Sequence, residues 1–176
     1  YKRQKQNKVN EERLTKLHYV GERKPAIICD VDGTVALMMG HRKPFEYGKA
    51  FNDKPNYPVI QVVFAVKRML ENNLSSDECD ITPFTKVHLI MLSARENKIL
   101  CTEENYNAFD DVRDLTESWL NHNMKDELGT RYDKLFMREE GDYRKDSYVK
   151  FELYHEHIAP YYDVKYVFDD RNQVVD

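Results

Sequence analysis

Four short, nearly unbroken apolar runs lie at wide intervals along the chain. They are Ala26-Ile27-Ile28-Cys29, Val87-His88-Leu89-Ile90-Met91-Leu92, Leu135-Phe136-Met137 and Val164-Lys165-Tyr166-Val167-Phe168. Apolar residues at nearly every position, without alternation, mark strands buried on both faces. The stretches between them read as helices. Pro58 to Asn72 carries Val59, Val62, Val63, Val66, Met69 and Leu70 and is expected to end at the Asn72-Asn73 pair. Asn107 to Leu128 places Val112, Leu115, Trp119 and Leu120 on one stripe, with Gly129 as its stop signal. Asp146 to Ile158 forms a third helix, closed by Pro160.

Strand and helix alternating in this way predict a Rossmann-like three-layer α/β sandwich with a mainly parallel sheet. Residues 25–176 are expected to form that domain. Residues 1–24, polar and basic, read as a lead-in or linker, and residues 74–86 as an exposed loop. Only about 50 residues separate the first two strands, including one helix, so any cap over the site is expected to be minimal.

In such folds ligands bind beyond the C-terminal ends of the strands. The first strand ends in Asp30-Val31-Asp32-Gly33-Thr34 and the second in Ser93-Ala94-Arg95. The third ends near Arg138, and the helix after it opens with Arg144-Lys145-Asp146 and carries Lys150. The fourth ends in Asp169-Asp170-Arg171. Carboxylates crowded into one cleft repel one another unless a cation joins them. A Mg²⁺ ion, with its preference for oxygen ligands and a substrate phosphate, resolves that crowding, and Asp30, Asp32, Asp169 and Asp170 are its candidate ligands.

Asp30 and Asp32, two apart at a strand end, can divide the work of phosphoryl transfer. The first attacks phosphorus to form an aspartyl phosphate; the second protonates the leaving oxygen and later deprotonates water. Gly33 permits the tight departure of the backbone, and Thr34 holds the loop. Ser93 offers a hydroxyl to a phosphate oxygen, Lys150 a charge, and Arg95 a bidentate fork.

The bulk properties narrow the partners. At 176 residues, with 41% hydrophobic and 33% charged residues, the chain suits a globular domain. Its net charge of −4 supplies no global field for nucleic acid, so a polyanion must be gripped locally. Three cysteines (Cys29, Cys79, Cys101) without metal-ligand spacing suggest a reducing compartment. No apolar run approaches the roughly 20 residues of a membrane span.

Taken together, Asp30-x-Asp32-Gly33-Thr34, Ser93, Lys150 and Asp169-Asp170 resemble the four signature motifs of the haloacid dehalogenase superfamily. Over residues 24–176 the resemblance is closer still, to the 3′-phosphatase domains of phage-type polynucleotide kinases. It is carried by Ser93-Ala94-Arg95-Glu96, by the stretch from Arg138 to Lys150, and by Asp169-Asp170-Arg171-Asn172-Gln173. The resemblance implies a Mg²⁺-dependent polynucleotide 3′-phosphatase of DNA or RNA end repair, with 2′,3′-cyclic phosphodiesterase activity as an extension. Asp30 is then the nucleophile, Asp32 the acid/base, and Ser93, Arg95 and Lys150 the phosphate contacts. Asp146, Arg138 and a loop arginine, for which Arg42 is the candidate beside His41, join the substrate site. Partners implied are 3′-phosphorylated DNA or RNA ends, with a kinase domain or ligase in a longer system. The implied setting is the cytoplasm, a host's if the gene is a phage's.

Ala94 replaces the family's glycine after the serine. The family also runs on past Asp170 into another helix and strand, which implies a domain cut short at its C-terminus. No Gly-x-x-x-x-Gly-Lys-Ser/Thr loop occurs, so no kinase activity is expected of this chain. Taken singly, Asp146 reads as a helix N-cap paired with Lys150 one turn on, and Asp169-Asp170 as an acidic turn. Two further readings remain open at this level: a small-molecule nucleotidase of the same superfamily, and a nucleic-acid-binding module without catalysis.

Overall fold

A computed structural model of the chain describes residues 22–75, 86–98 and 109–171. The basic lead-in, Cys79 and Cys101 lie outside the described residues. The four apolar runs all form strands: β1 (Lys24–Asp30), β4 (His88–Glu96), β5 (Lys134–Arg138) and β6 (Tyr162–Phe168). They make one wholly parallel sheet in the order β5-β4-β1-β6. Burial on both faces accounts for the composition of β1 and β4, whereas β6, at the sheet edge, leaves Lys165, Tyr166 and Val167 exposed, so its apolar run does not mark a strand buried on both faces. Ile27, Cys29, Leu89, Met91, Leu135 and Met137 enter one core, while Ala26, Ile28, Ile90 and Leu92 enter another.

Helices α1 (Tyr57–Ser75) and α2 (Val112–Asn123) cover the first face with Ile60, Val63, Phe64, Trp119 and Leu120. The second face is covered by α3 (Asp146–Leu153) and the wider π turn that continues it over Tyr154–Ile158. Between β1 and α1 the chain makes a two-residue ribbon, β2 (Ala36–Leu37) with β3 (Lys54–Pro55), and a short 3₁₀ helix over Tyr47–Asn52. This small excursion is all that the described chain lays over the strand ends here.

Three boundaries differ from the sequence reading. Helix α1 runs past the Asn-Asn pair to Ser75. Its buried Glu71, ion-paired with Lys67 one turn back, accepts the Val87 N–H (3.0 Å) and ties the helix to the start of β4. Helix α2 starts at Val112, capped by the Asp111 carboxylate on the Asp114 N–H (2.8 Å), and stops at Asn123. Gly129 is therefore no helix cap. It serves a later turn, where Asp126 accepts the N–H groups of Leu128 and Thr130 (3.0 and 2.7 Å).

Candidate active site

All four strands of the sheet deliver side chains to one edge, and three linked charge clusters result. The first is built on Asp30, the buried last residue of β1. Lys150, from the middle of α3, places its Nζ 2.8 Å from Asp30 Oδ1 and 2.6 Å from Asp169 Oδ2. Thr34 Oγ1 approaches the other Asp30 oxygen at 3.5 Å. Burial pushes the Asp30 carboxyl up to about 7; Lys150 opposes that rise and Asp169 adds to it. Burial would lower the Lys150 ammonium, but Asp30 and Asp169 outweigh it and hold the lysine charged.

Asp170 completes the cluster. One oxygen each from Asp30, Asp169 and Asp170 lie within 4.8 Å of one another. Gly33 makes that approach possible. Its φ is +87°, and a Cβ there would fall 2.2 Å from Asp170 Oδ2. Three carboxylates gathered around a glycine notch are the hard-oxygen donor set that suits Mg²⁺. Asp32, the fourth candidate ligand, does not turn its carboxylate into this group.

Instead Asp32 belongs to a second cluster. Arg95 grips it in bidentate fashion (Nε to Oδ2 2.8 Å, Nη2 to Oδ1 2.9 Å), and Arg42 Nη2 adds a contact at 2.7 Å. Both guanidiniums are fully buried and shared with Asp53, which accepts from Arg42 Nε (2.8 Å), Arg42 Nη2 (2.6 Å) and Arg95 Nη2 (3.0 Å). His41 Nε2 lies 3.2 Å from the same carboxylate. Burial alone would push the Asp32 carboxyl up, but Arg95 and Arg42 overcome it and hold Asp32 below the usual carboxylate range. The β4–β5 register shifts between Ser93 and Glu96, an irregularity of the kind that re-aims a side chain, and Arg95 lies within it. Ser93 Oγ, buried, accepts the Arg95 N–H at 3.2 Å and keeps its own proton to donate.

The third cluster joins β5 to the start of α3. Arg138 reaches Asp146 Oδ1 through Nη2, and Arg171 reaches Asp146 Oδ2. The N-cap position of α3 falls on Lys145, so Asp146 is the first helical residue, and its carboxylate serves these arginines and neither a cap nor Lys150. Among the described residues Arg138 Nε is buried without an acceptor. The Arg171 N–H donates to Asp169 Oδ1 (2.9 Å) and links this cluster to the first.

On the far side of Asp30 a cavity of about 480 Å³ opens between α3 and the second face of the sheet. Ile28, Leu92, Phe151, Val164 and Val167 give it an apolar wall, and Asp30, Ser147, Lys150 and Asp169 line it where it meets the first cluster.

Sequence reasoning had singled out Asp30, Asp32, Arg42, Ser93, Arg95, Arg138, Asp146, Lys150, Asp169 and Asp170, and the fold gathers all of them along this edge. It had missed Asp53, Thr116, which accepts Arg95 Nη1 at 3.1 Å, and the role of Arg171. For Asp53 the sequence carried no signal: only the fold shows two buried arginines beside Asp32 whose second positive charge Asp53 compensates.

A parallel α/β sheet whose first strand ends in a buried aspartate, flanked by a lysine and two further aspartates, defines the haloacid dehalogenase class of phosphatase folds. The family model "Polynucleotide kinase PNKP phosphatase domain" matches residues 24–176. Two solved structures, one of the Pnkp1/Rnl/Hen1 RNA repair complex and one of a Pnkp1/Rnl/Hen1 complex, each resemble the chain with 34% identity and a TM-score of 0.62. The match covers 92% of this chain but 42% and 45% of those chains, so this chain spans less than half their length. The chain belongs to the family of polynucleotide kinase phosphatase domains.

Proposed function

We propose that this domain removes the phosphate from polynucleotide 3′ ends, RNA ends included, through an aspartyl phosphate on Asp30 with Mg²⁺ as cofactor. The observation that carries the reading is Lys150 seated between Asp30 and Asp169 at the mouth of the crevice, with Asp170 alongside. Asp30, Asp169 and Asp170 would hold the Mg²⁺, which when bound supplies positive charge against the phosphoryl oxygens.

Asp30 attacks phosphorus and the bond to the 3′ oxygen breaks, that oxygen taking a proton from Asp32. Water then attacks the aspartyl phosphate, gives its proton back to Asp32, and inorganic phosphate leaves with Asp30 restored. Lys150 holds Asp30 in place and lowers the free energy of its ionised form. Asp32, ionised under the grip of Arg42 and Arg95, is in the form that the second half-reaction needs. For the first half it must carry a proton. Transfer of one arginine fork from Asp32 to an incoming phosphate oxygen supplies that change, because the carboxylate then loses the charge that keeps its pKa low. Arg138, whose Nε–H lacks an acceptor, and the Ser93 hydroxyl would donate further hydrogen bonds to the phosphate.

The test is phosphate release from an oligonucleotide 3′-phosphate with and without Mg²⁺. Turnover that requires Mg²⁺ is expected. An intact protein that cleaves a small phosphate ester yet leaves the oligonucleotide untouched would point to a small-molecule phosphatase and overturn the reading.

A further inference from the structure

Two arginines of the crevice are each used twice, in the same way. Arg42 holds Asp32 and Asp53 through Nε and Nη2, and its Nη1 donates to the carbonyls of Lys43 (3.3 Å) and Pro44 (3.2 Å). Arg138 meets Asp146 through Nη2, and its Nη1 donates to the carbonyls of Asp142 (2.7 Å) and Arg144 (2.9 Å). Each pair of carbonyls adjoins an exposed aromatic ring. Phe45, 79% exposed, follows Pro44; Tyr143, 86% exposed, sits between Asp142 and Arg144. One guanidinium thus fixes the backbone beneath each ring to a carboxylate of the site, while the ring itself stands in water.

Neither ring serves the core, and what sets the two apart from other exposed rings is a backbone fixed by a guanidinium that also holds a carboxylate of the site. Phe45 packs edge-on against Tyr47 (centroids 6.4 Å apart, planes at 84°). The half-buried Tyr47 phenol is itself pushed up, first by burial and then by Asp32, with Asp146 adding to this and Arg138 and Arg95 opposing it. Phe45 thus rests on a half-buried ring that feels the charges of both the Asp32 and the Asp146 clusters.

We infer that Phe45 and Tyr143 are a stacking platform for the terminal nucleobase of a polynucleotide whose 3′-phosphate enters the crevice. Stacking uses the π-face that every base presents, so such a platform accepts ends of any sequence. The inference rests on the polynucleotide reading of the site and deepens it. Both rings stand in water, so their removal leaves the core intact.

The experiment compares two oligonucleotide 3′-phosphates, one with an ordinary terminal nucleotide and one whose terminal residue is abasic. It is run on the wild type, Phe45→Ala, Tyr143→Ala, the double variant and Phe45→Trp. The wild type is expected to show a KM about 5- to 150-fold lower for the ordinary end, the span one base–aromatic stack supplies. Each alanine variant shrinks that preference, the double variant abolishes it, and Phe45→Trp retains it. A preference unchanged in the double variant, or absent from the wild type, overturns the platform; in the first case the rings are left to a protein partner. Failure of the wild type on both oligonucleotides, with glycerol phosphate still cleaved, overturns instead the polynucleotide reading beneath it.

Discussion

Asp30→Asn is expected to make the metal-free protein more stable at pH 8 while abolishing turnover. Burial raises the Asp30 carboxyl from 3.8 to about 7, because its charged form loses water and lies beside Asp169. The folded state therefore holds a proton that the unfolded chain has released once the pH exceeds 3.8. Stability from this group is fully present below about pH 4 and is lost as the pH rises to about 7. At about 1.4 kcal/mol per pH unit, the ionised carboxylate costs about 4 kcal/mol at pH 8. That figure already includes the contact to Lys150, which lowers the carboxyl from where burial alone would put it, so asparagine, neutral like the protonated acid, avoids the whole of it. The gain of about 4 kcal/mol corresponds to about 8–16 °C in Tm for a domain of this size. Thermal denaturation in EDTA at pH 4 and pH 8 measures it. The advantage of Asp30→Asn should appear at pH 8 and vanish at pH 4. A variant equally or less stable at pH 8, or an advantage that persists at pH 4, would refute the reasoning.

Other changes have equally definite outcomes. Gly33→Ala places a Cβ against the Asp170 carboxylate at a positive φ, so it should cost about 1–3 kcal/mol in chemical denaturation and weaken Mg²⁺ binding in calorimetry at least tenfold. Asp53→Ala leaves Arg42 and Arg95 short of a counter-charge; about 3–5 kcal/mol of stability should be lost by urea titration. In Asp53→Asn, where the shape persists, kcat should fall and its pH profile shift, since both arginines then bear on Asp32 alone. Glu71→Ala, which strands the buried Lys67 and the Val87 N–H, should cost about 3 kcal/mol with kcat little changed.

What was legible in the sequence followed from local rules. Unbroken apolar runs betray strands, so the four strands, their parallel pairing and the edge where chemistry collects could be read in advance, while the order β5-β4-β1-β6 and the exposure of β6 could not. The Asp30-x-Asp32-Gly33-Thr34 turn was equally plain, because a glycine is needed where a carboxylate packs against the backbone. Long-range pairings escaped that reading. Asp146 looks like a helix cap from its neighbours alone, yet Arg138 and Arg171, distant in sequence, take its carboxylate. Asp53 follows the 3₁₀ helix with no motif around it, and its importance appears only when β4 brings Arg95 to face it. Gly129 misled for the opposite reason. It has the positive φ of a helix stop, but the helix had already ended at Asn123, where the Asn123 side chain donates to the Trp119 carbonyl (3.0 Å).

The central claim is that Asp30 carries the phosphoryl group. A single turnover of an oligonucleotide bearing a radiolabelled 3′-phosphate, quenched in acid and digested, tests it directly. Label on the peptide that contains Asp30, sensitive to hydroxylamine and absent from Asp30→Asn, is the predicted result. Full phosphate release with label on no peptide, or on a peptide lacking Asp30, would contradict the account.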